Sequence, residues 1–76
     1  MIDFKVKVVR GYQDEKCTVL DGWYISKVYA IQDDSFLVYD DFNGYFEWVN
    51  INSKIVRMEH GEEVVEHLVT LWEEEA

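Results

Sequence analysis

Two histidines, one cysteine and sixteen carboxylates are the groups in this 76-residue chain whose types suit chemistry. His60 and His67 stand seven residues apart, so a helix would bring both imidazoles to one side only if it began before Gly61. Both read as solvated surface histidines. Two histidines and one cysteine fall short of a structural zinc set, and a single cysteine excludes an internal disulfide. Cys17 has no evident base beside it, and a buried, inert thiol is the expectation. The pairs Asp33-Asp34 and Asp40-Asp41 fall in predicted hairpin turns, where aspartate is favoured for backbone reasons alone. A calcium site or a catalytic carboxylate pair would need further oxygen ligands at defined spacing. There is no Gly-rich phosphate loop and no Ser/His/Asp constellation. The expectation is a non-enzymatic protein without metal or cofactor.

The carboxylates are unevenly placed. The formal charge is −9, and Glu59 to Ala76 holds seven carboxylates with no lysine or arginine, which leaves −2 for the rest of the chain. A field concentrated in this way selects basic partners and repels phosphate backbones. Val28 to Ser53 contains five acids and no lysine or arginine, whereas Lys5, Lys7, Arg10 and Lys16 gather near the N-terminus. Direct nucleic-acid binding, which relies on lysine and arginine neutralising phosphates, is disfavoured.

A short chain, about half apolar and rich in aromatic residues, is expected to form a single folded domain. No apolar run approaches the roughly 18 residues of a membrane span, and the first residues lack the pattern of a signal peptide. The protein therefore reads as cytoplasmic, with no membrane partner. Ile2, Phe4, Val6 and Val8 alternate with Asp3, Lys5 and Lys7, as a half-buried strand requires. Cys17 to Leu20 reads as a short second strand before an Asp21-Gly22 turn. Trp23 to Ile31 and Phe36 to Tyr39 read as a hairpin. An Asn43-Gly44 turn feeds Tyr45 to Val49, and Lys54 to Met58 is a last short strand. Beyond Gly61 the period changes. Val64, Val65, Leu68, Leu71 and Trp72 recur at helical spacing, with Glu62, Glu63, Glu66, His67, Thr70 and Glu73 facing away, which predicts an amphipathic acidic helix over residues 61–76. The same stretch alternates at Val65, His67, Val69 and Leu71, and the long acidic run favours the helix over a strand.

From Asp21 to Arg57 the chain resembles a Tudor-type, SH3-like barrel. Asp-Gly-Trp-Tyr-Ile-Ser-Lys-Val (Asp21 to Val28) matches the family's glycine, aromatic pair, small residue and valine on its second strand. Phe36 to Gly44 resembles the third strand and its turn. Glu47-Trp48-Val49 followed by Ile51-Asn52-Ser53-Lys54-Ile55 resembles the family's Glu-x-Val and the short helical turn after it. The resemblance implies a mainly β protein, a five-stranded SH3-like (Tudor-like) barrel over residues 1–60, capped by the C-terminal helix. It further implies an aromatic cage at Tyr24, Tyr39 and Phe42 that would hold a methylated lysine or arginine by cation–π attraction. The competing reading is that these rings fill a small core.

Strand alternation that sends Tyr24, Ser26, Val28 and Ala30 inward leaves Trp23, Ile25, Tyr29 and Ile31 outside, with Phe36, Val38, Phe46 and Trp48 as candidate neighbours. An outer apolar face of that size needs a cover. Either the terminal helix docks on it, or it serves as a homodimer or partner interface, so monomer and homodimer both stand.

These strands lead to one functional expectation and an alternative. A compact acidic protein can imitate the charge of a nucleic-acid backbone and occupy the basic groove of a DNA- or RNA-binding protein. In general character the chain resembles the small acidic inhibitors with which bacteriophages take over host machinery. The residues expected to meet the basic partner are Glu62, Glu63, Glu66, Glu73 and Glu74, helped by Asp33, Asp34, Asp40 and Asp41. The alternative is a reader of methylated lysine or arginine built on Tyr24, Tyr39 and Phe42.

Overall fold

The alternation of the N-terminal residues carries through into a long first strand that organises everything after it. A computed structural model describes the backbone of residues 2–13 and 18–73. Cys17 and Glu74 lie outside the described residues, as does the end of the predicted helix. In chain order the strands are β1 (Lys5–Gln13), β2 (Thr18–Lys27), β3 (Ala30–Gln32), β4 (Ser35–Asp40), β5 (Tyr45–Asn50), β6 (Lys54–Glu59), β7 (Glu62–His67) and β8 (Val69–Trp72). They form three antiparallel sheets, ordered β2-β1-β8, β3-β4-β5 and β6-β7.

β1 pairs on both edges, setting Val8 opposite Tyr24 and Val69, and Val6 opposite Ser26 and Leu71. The inward set of this sheet and Val38 of β4 make the core, which consists of Val6, Val8, Tyr24, Val28, Val38 and Val69. Phe4, Phe36, Val49 and Ile51 pack around it, with Phe4 meeting Phe36 edge to face at 5.5 Å. β2 hands over to the second sheet through two bonds. The Tyr39 amide donates to Ser26 Oγ at 2.9 Å, and the Tyr29 amide donates to the Leu37 carbonyl at 2.8 Å. Tyr24, Ser26 and Val28 point inward as strand alternation predicts, and Trp23, Tyr29 and Ile31 are exposed.

The expected five-stranded barrel capped by a helix is not what forms. The sheets are open and do not close on one another, and among the described residues there is no helix. The predicted helix is instead the second strand of a hairpin followed by an edge strand. Two physical demands favour the strand period. The outer edge of β1 carries backbone donors and acceptors that need partners, and β8 supplies them while burying Val69 against Val8. Val64, Val65, Val69 and Thr70 are also β-branched, which fits a pleated surface better than a helix. Leu68 sits at the bend between β7 and β8, where its N–H donates to the Ser53 carbonyl and its own carbonyl accepts from the Val9 amide.

Two smaller differences follow from backbone chemistry. Asp21-Gly22 does not turn the chain. Arg10 pairs with Gly22 and Gly11 with Leu20, so Asp21 is the extra residue of a bulge, and Gly22 takes a φ of 141° beside it. The stretch from Trp23 to Ile31 is not one strand either, because it breaks at Val28-Tyr29 where the chain passes from the first sheet to the second.

Candidate functional site

Carboxylates dominate the candidate site, and the fold treats them in two ways. Asp40, at the end of β4, is fully buried. Its Oδ1 accepts from the backbone N–H of Phe42 at 3.0 Å and of Asn43 at 3.1 Å. Its Oδ2 accepts from Asn43 Nδ2 at 2.8 Å and from the Arg10 guanidinium at 3.0 Å. The Asn43 side-chain bond holds this carboxyl below the usual carboxylate range against the opposing effect of burial, and the two backbone amides and Arg10 add to it. The loop it organises closes with the Gly44 amide on the Asp40 carbonyl at 2.7 Å, with Gly44 at φ 74°. Asp40 was expected among the partner-binding acids, and the structure corrects this: every lone-pair direction is engaged internally, so it holds a turn. Asp41, one residue on, is exposed.

Beside Asp40 lies a second polar contact in an otherwise apolar layer. Tyr24 is buried, and its hydroxyl donates to Glu47 Oε1. Burial first, then the bond to Glu47 and the nearby negative charges of Glu47 and Asp40, push the phenol pKa well above its ordinary value, with Arg10 opposing. A phenol so disposed stays protonated and is no general base near neutral pH. Sequence reasoning overlooked both the Arg10–Asp40 and Tyr24–Glu47 pairs. They join residues 30 and 23 positions apart, and no local spacing announces them.

The three proposed cage aromatics are not brought together. Tyr24 and Phe42 line one depression with Arg10, Gly22, Trp23 and Asn43. Tyr39 lines a different one with Lys5, Lys27, Tyr29 and Asp41. Tyr24 is moreover buried, so its ring face is not open to a methylated cation. Tyr39 instead packs on Phe46 with centroids 4.9 Å apart, and Phe46 meets Tyr29 edge to face at 5.1 Å. With Trp48, these rings form an aromatic strip along the outer side of β4 and β5, in which Tyr29, Phe46 and Trp48 are exposed and Tyr39 is half-buried. Val38 and Phe36, named as candidates for that face, belong to the core side. On the first sheet Trp72 stacks over Trp23 at 6.2 Å, and Lys7 Nζ lies 4.8 Å from the Trp23 ring. The C-terminal segment thus covers part of the outer aromatic surface, through a strand and not a helix.

The other candidate acids within the described residues are set at four places. Asp33 and Asp34 form the β3–β4 turn, where Asp33 has φ 52° and the Asp34 carbonyl accepts from the Ile51 amide at 2.8 Å. Asp41 lies on the β4–β5 loop. Glu59, Glu62, Glu63 and Glu66 lie on the β6–β7 hairpin, and Glu73 follows β8. Within the hairpin, Arg57 bonds Glu66 at 2.7 Å and lies 3.8 Å from Glu59, which leaves Glu62 and Glu63 as its most open carboxylates. His60 and His67 are exposed. No group of three or more His, Cys, Asp and Glu side chains among the described residues is placed to hold a metal ion.

The hairpin is the feature that the helical reading concealed. Its turn is His60-Gly61, at φ 52° and 79°, the two-residue connection with two left-handed residues whose twist suits antiparallel strands. A glycine between two runs of alternating apolar residues was the signal that would have found it. No helix is long and apolar enough to cross a membrane among the described residues. Comparison of the chain with protein-family models, curated proteins and solved structures gives no match.

Proposed function

We propose that this protein is a non-enzymatic acidic binding protein that docks on a basic protein surface in the cytoplasm. Its carboxylates would stand in for nucleic-acid charge and block a DNA- or RNA-binding protein, as in phage takeover of a host. The observation that supports this reading is the placement of the acids. Glu62 and Glu63 are exposed on a two-stranded hairpin, with Asp33, Asp34 and Asp41 exposed at other turns, in a chain of charge −9. Charges presented in this way speed encounter with a basic surface and confer strong salt dependence. Asp40 has no part in it, and Glu66 contributes through its pair with Arg57.

The test uses the immobilised protein beside the Glu62→Lys/Glu63→Lys double variant, each challenged with cell lysate and eluted by salt. The expected result is capture of nucleic-acid-binding proteins that added duplex DNA displaces and moderate salt releases. The double variant should lose them, with at least about a tenfold fall in retention. Capture of neutral proteins that resist salt and ignore the double substitution would sink the reading.

A further inference from the structure

A two-stranded sheet standing alone is marginal in water, and three strands or a covering layer are what give such a ribbon independent stability. The β6–β7 hairpin is such a sheet. Val56 and Val65 face each other across it on one side, both 43 % exposed, and Met58 on the same face is 69 % exposed. The hairpin therefore presents both an uncovered apolar face and unpaired edges.

The register says which backbone groups are open. With Glu59 and Glu62 closing a two-residue turn, the hydrogen-bonded pairs of the ladder are Glu59 with Glu62, Arg57 with Val64, and Ile55 with Glu66. The bond from the Leu68 amide to the Ser53 carbonyl continues the same parity. The N–H and C=O groups of Glu63, Val65 and His67 consequently point away from β6, along an edge that no other strand among the described residues pairs with.

Charge selects between the two edges and among their occupants. β6 carries Lys54 and Arg57, whereas β7 carries Glu62, Glu63 and Glu66 and no lysine or arginine. Two copies of the chain joined through β7 would set glutamates against glutamates, so the acids guard this edge against self-pairing. A strand bearing lysine or arginine meets no such barrier. We propose that the outer edge of β7 accepts an extended segment of a basic partner as a third strand. Its backbone pairs with Glu63, Val65 and His67, and its lysine or arginine side chains meet Glu62 and Glu63. An apolar residue of the segment lies beside Val65. Main-chain pairing supplies affinity and alternate side chains supply selectivity, as in other strand-addition complexes.

This inference rests on the acidic-binding reading, and the test separates the two. The probe is a short synthetic peptide with a Val-Thr-Lys-Lys-Thr-Val core, which in either strand direction sets lysines beside Glu62 and Glu63 and a valine beside Val65; it is titrated into the full-length protein and followed by amide hydrogen exchange. The expected result is slowed exchange at Glu63, Val65 and His67, with little change at Glu62, Val64 and Glu66, whose amides are already bonded to β6. Val65→Pro removes an outward N–H without touching the ladder to β6 and leaves the charge unchanged. It should weaken peptide binding about tenfold or more, as should Glu63→Lys. The same peptide methylated at alternate backbone nitrogens should bind the unaltered protein equally poorly, which covers the case of a Val65→Pro chain that fails to fold. If Glu63→Lys abolishes binding but the methylated peptide binds as well as the parent, the charge reading stands and strand addition is overturned. Binding insensitive to both overturns the two together.

Discussion

Asp40 and Glu63 are carboxylates of the same acidic chain, and they occupy opposite extremes of environment. Asp40 is fully buried and takes four hydrogen bonds, one of them from a guanidinium. Glu63 stands exposed on a two-stranded hairpin that pairs with no other strand among the described residues. The difference teaches that acidic composition is not acidic surface. A buried carboxylate is tolerated only when its lone pairs are matched, and once matched it specifies a local structure and presents nothing outward. An exposed one costs the fold little and remains available to a partner. The body of the protein spends Asp40 on order, and the hairpin leaves Glu62 and Glu63 free.

The largest effect that would break this contrast comes from Asp40→Ala. It strands the amides of Phe42 and Asn43, the Asn43 side chain and the Arg10 guanidinium at one stroke. The melting temperature followed by circular dichroism should fall on the order of 10 °C or more. The pH dependence has a definite sign. The folded-state pKa of Asp40 lies below its unfolded value, so its contribution is fully present above roughly pH 4 and is lost as pH falls through the lower folded value. Asp40→Asn should lose that acid limb. A variant at Asp40 that melts like the parent would place this carboxylate with the surface acids after all.

Next in size is Tyr24→Phe, which deletes the hydroxyl bonded to Glu47 and should cost about 1–2 kcal/mol in denaturant unfolding. The Tyr24 phenol is raised above its unfolded value, so its contribution is intact below roughly pH 10 and declines as pH rises beyond that. Unfolding curves taken across the alkaline range should show this decline in the parent and not in Tyr24→Phe. An identical decline in both would separate Tyr24 from the polar layer around Asp40.

The body was the more legible of the two regions. Alternation alone placed Val6 and Val8 inward and Trp23 and Tyr29 outward, and the Asn43-Gly44 turn fell where it was expected. Local signals suffice there because burial on one face imposes period two. They failed beyond Gly61. Val64, Val65, Leu68, Leu71 and Trp72 satisfy a helical stripe, while Val65, Val69 and Leu71 satisfy a strand, so periodicity does not decide between them, and the β-branched residues only tilt the balance toward the strand. The decision is tertiary, made by the open edge of β1 and by the register that sets Val56 against Val65. The same limit explains Asp40. Its aspartate-rich turn was read correctly as a turn, but its burial depends on Arg10, a residue of β1 that is 30 positions away in sequence. The candidate acids Glu62 and Glu63 kept their exposure while their scaffold changed from helix to hairpin.

The smallest effect sharpens the comparison from the side of the hairpin. Gly61 has φ 79°, and a Cβ added there would meet no atom within 4 Å, so Gly61→Ala is opposed by the backbone conformation alone, at about 1 kcal/mol. Where that loss appears depends on how firmly hairpin and body are joined. The bonds of Leu68 to Ser53 and Val9 are the backbone links at the base of the hairpin. If the hairpin opens as its own unit, the loss is confined to it. Hydrogen exchange at Glu62, Val64 and Glu66 should then quicken about fivefold, while Val6 and Val38 exchange as before. Equal quickening in the core would mean that the hairpin and the Asp40 region unfold together. In that event the exposed glutamates would sit on a part of the protein as rigid as the buried carboxylate they are contrasted with.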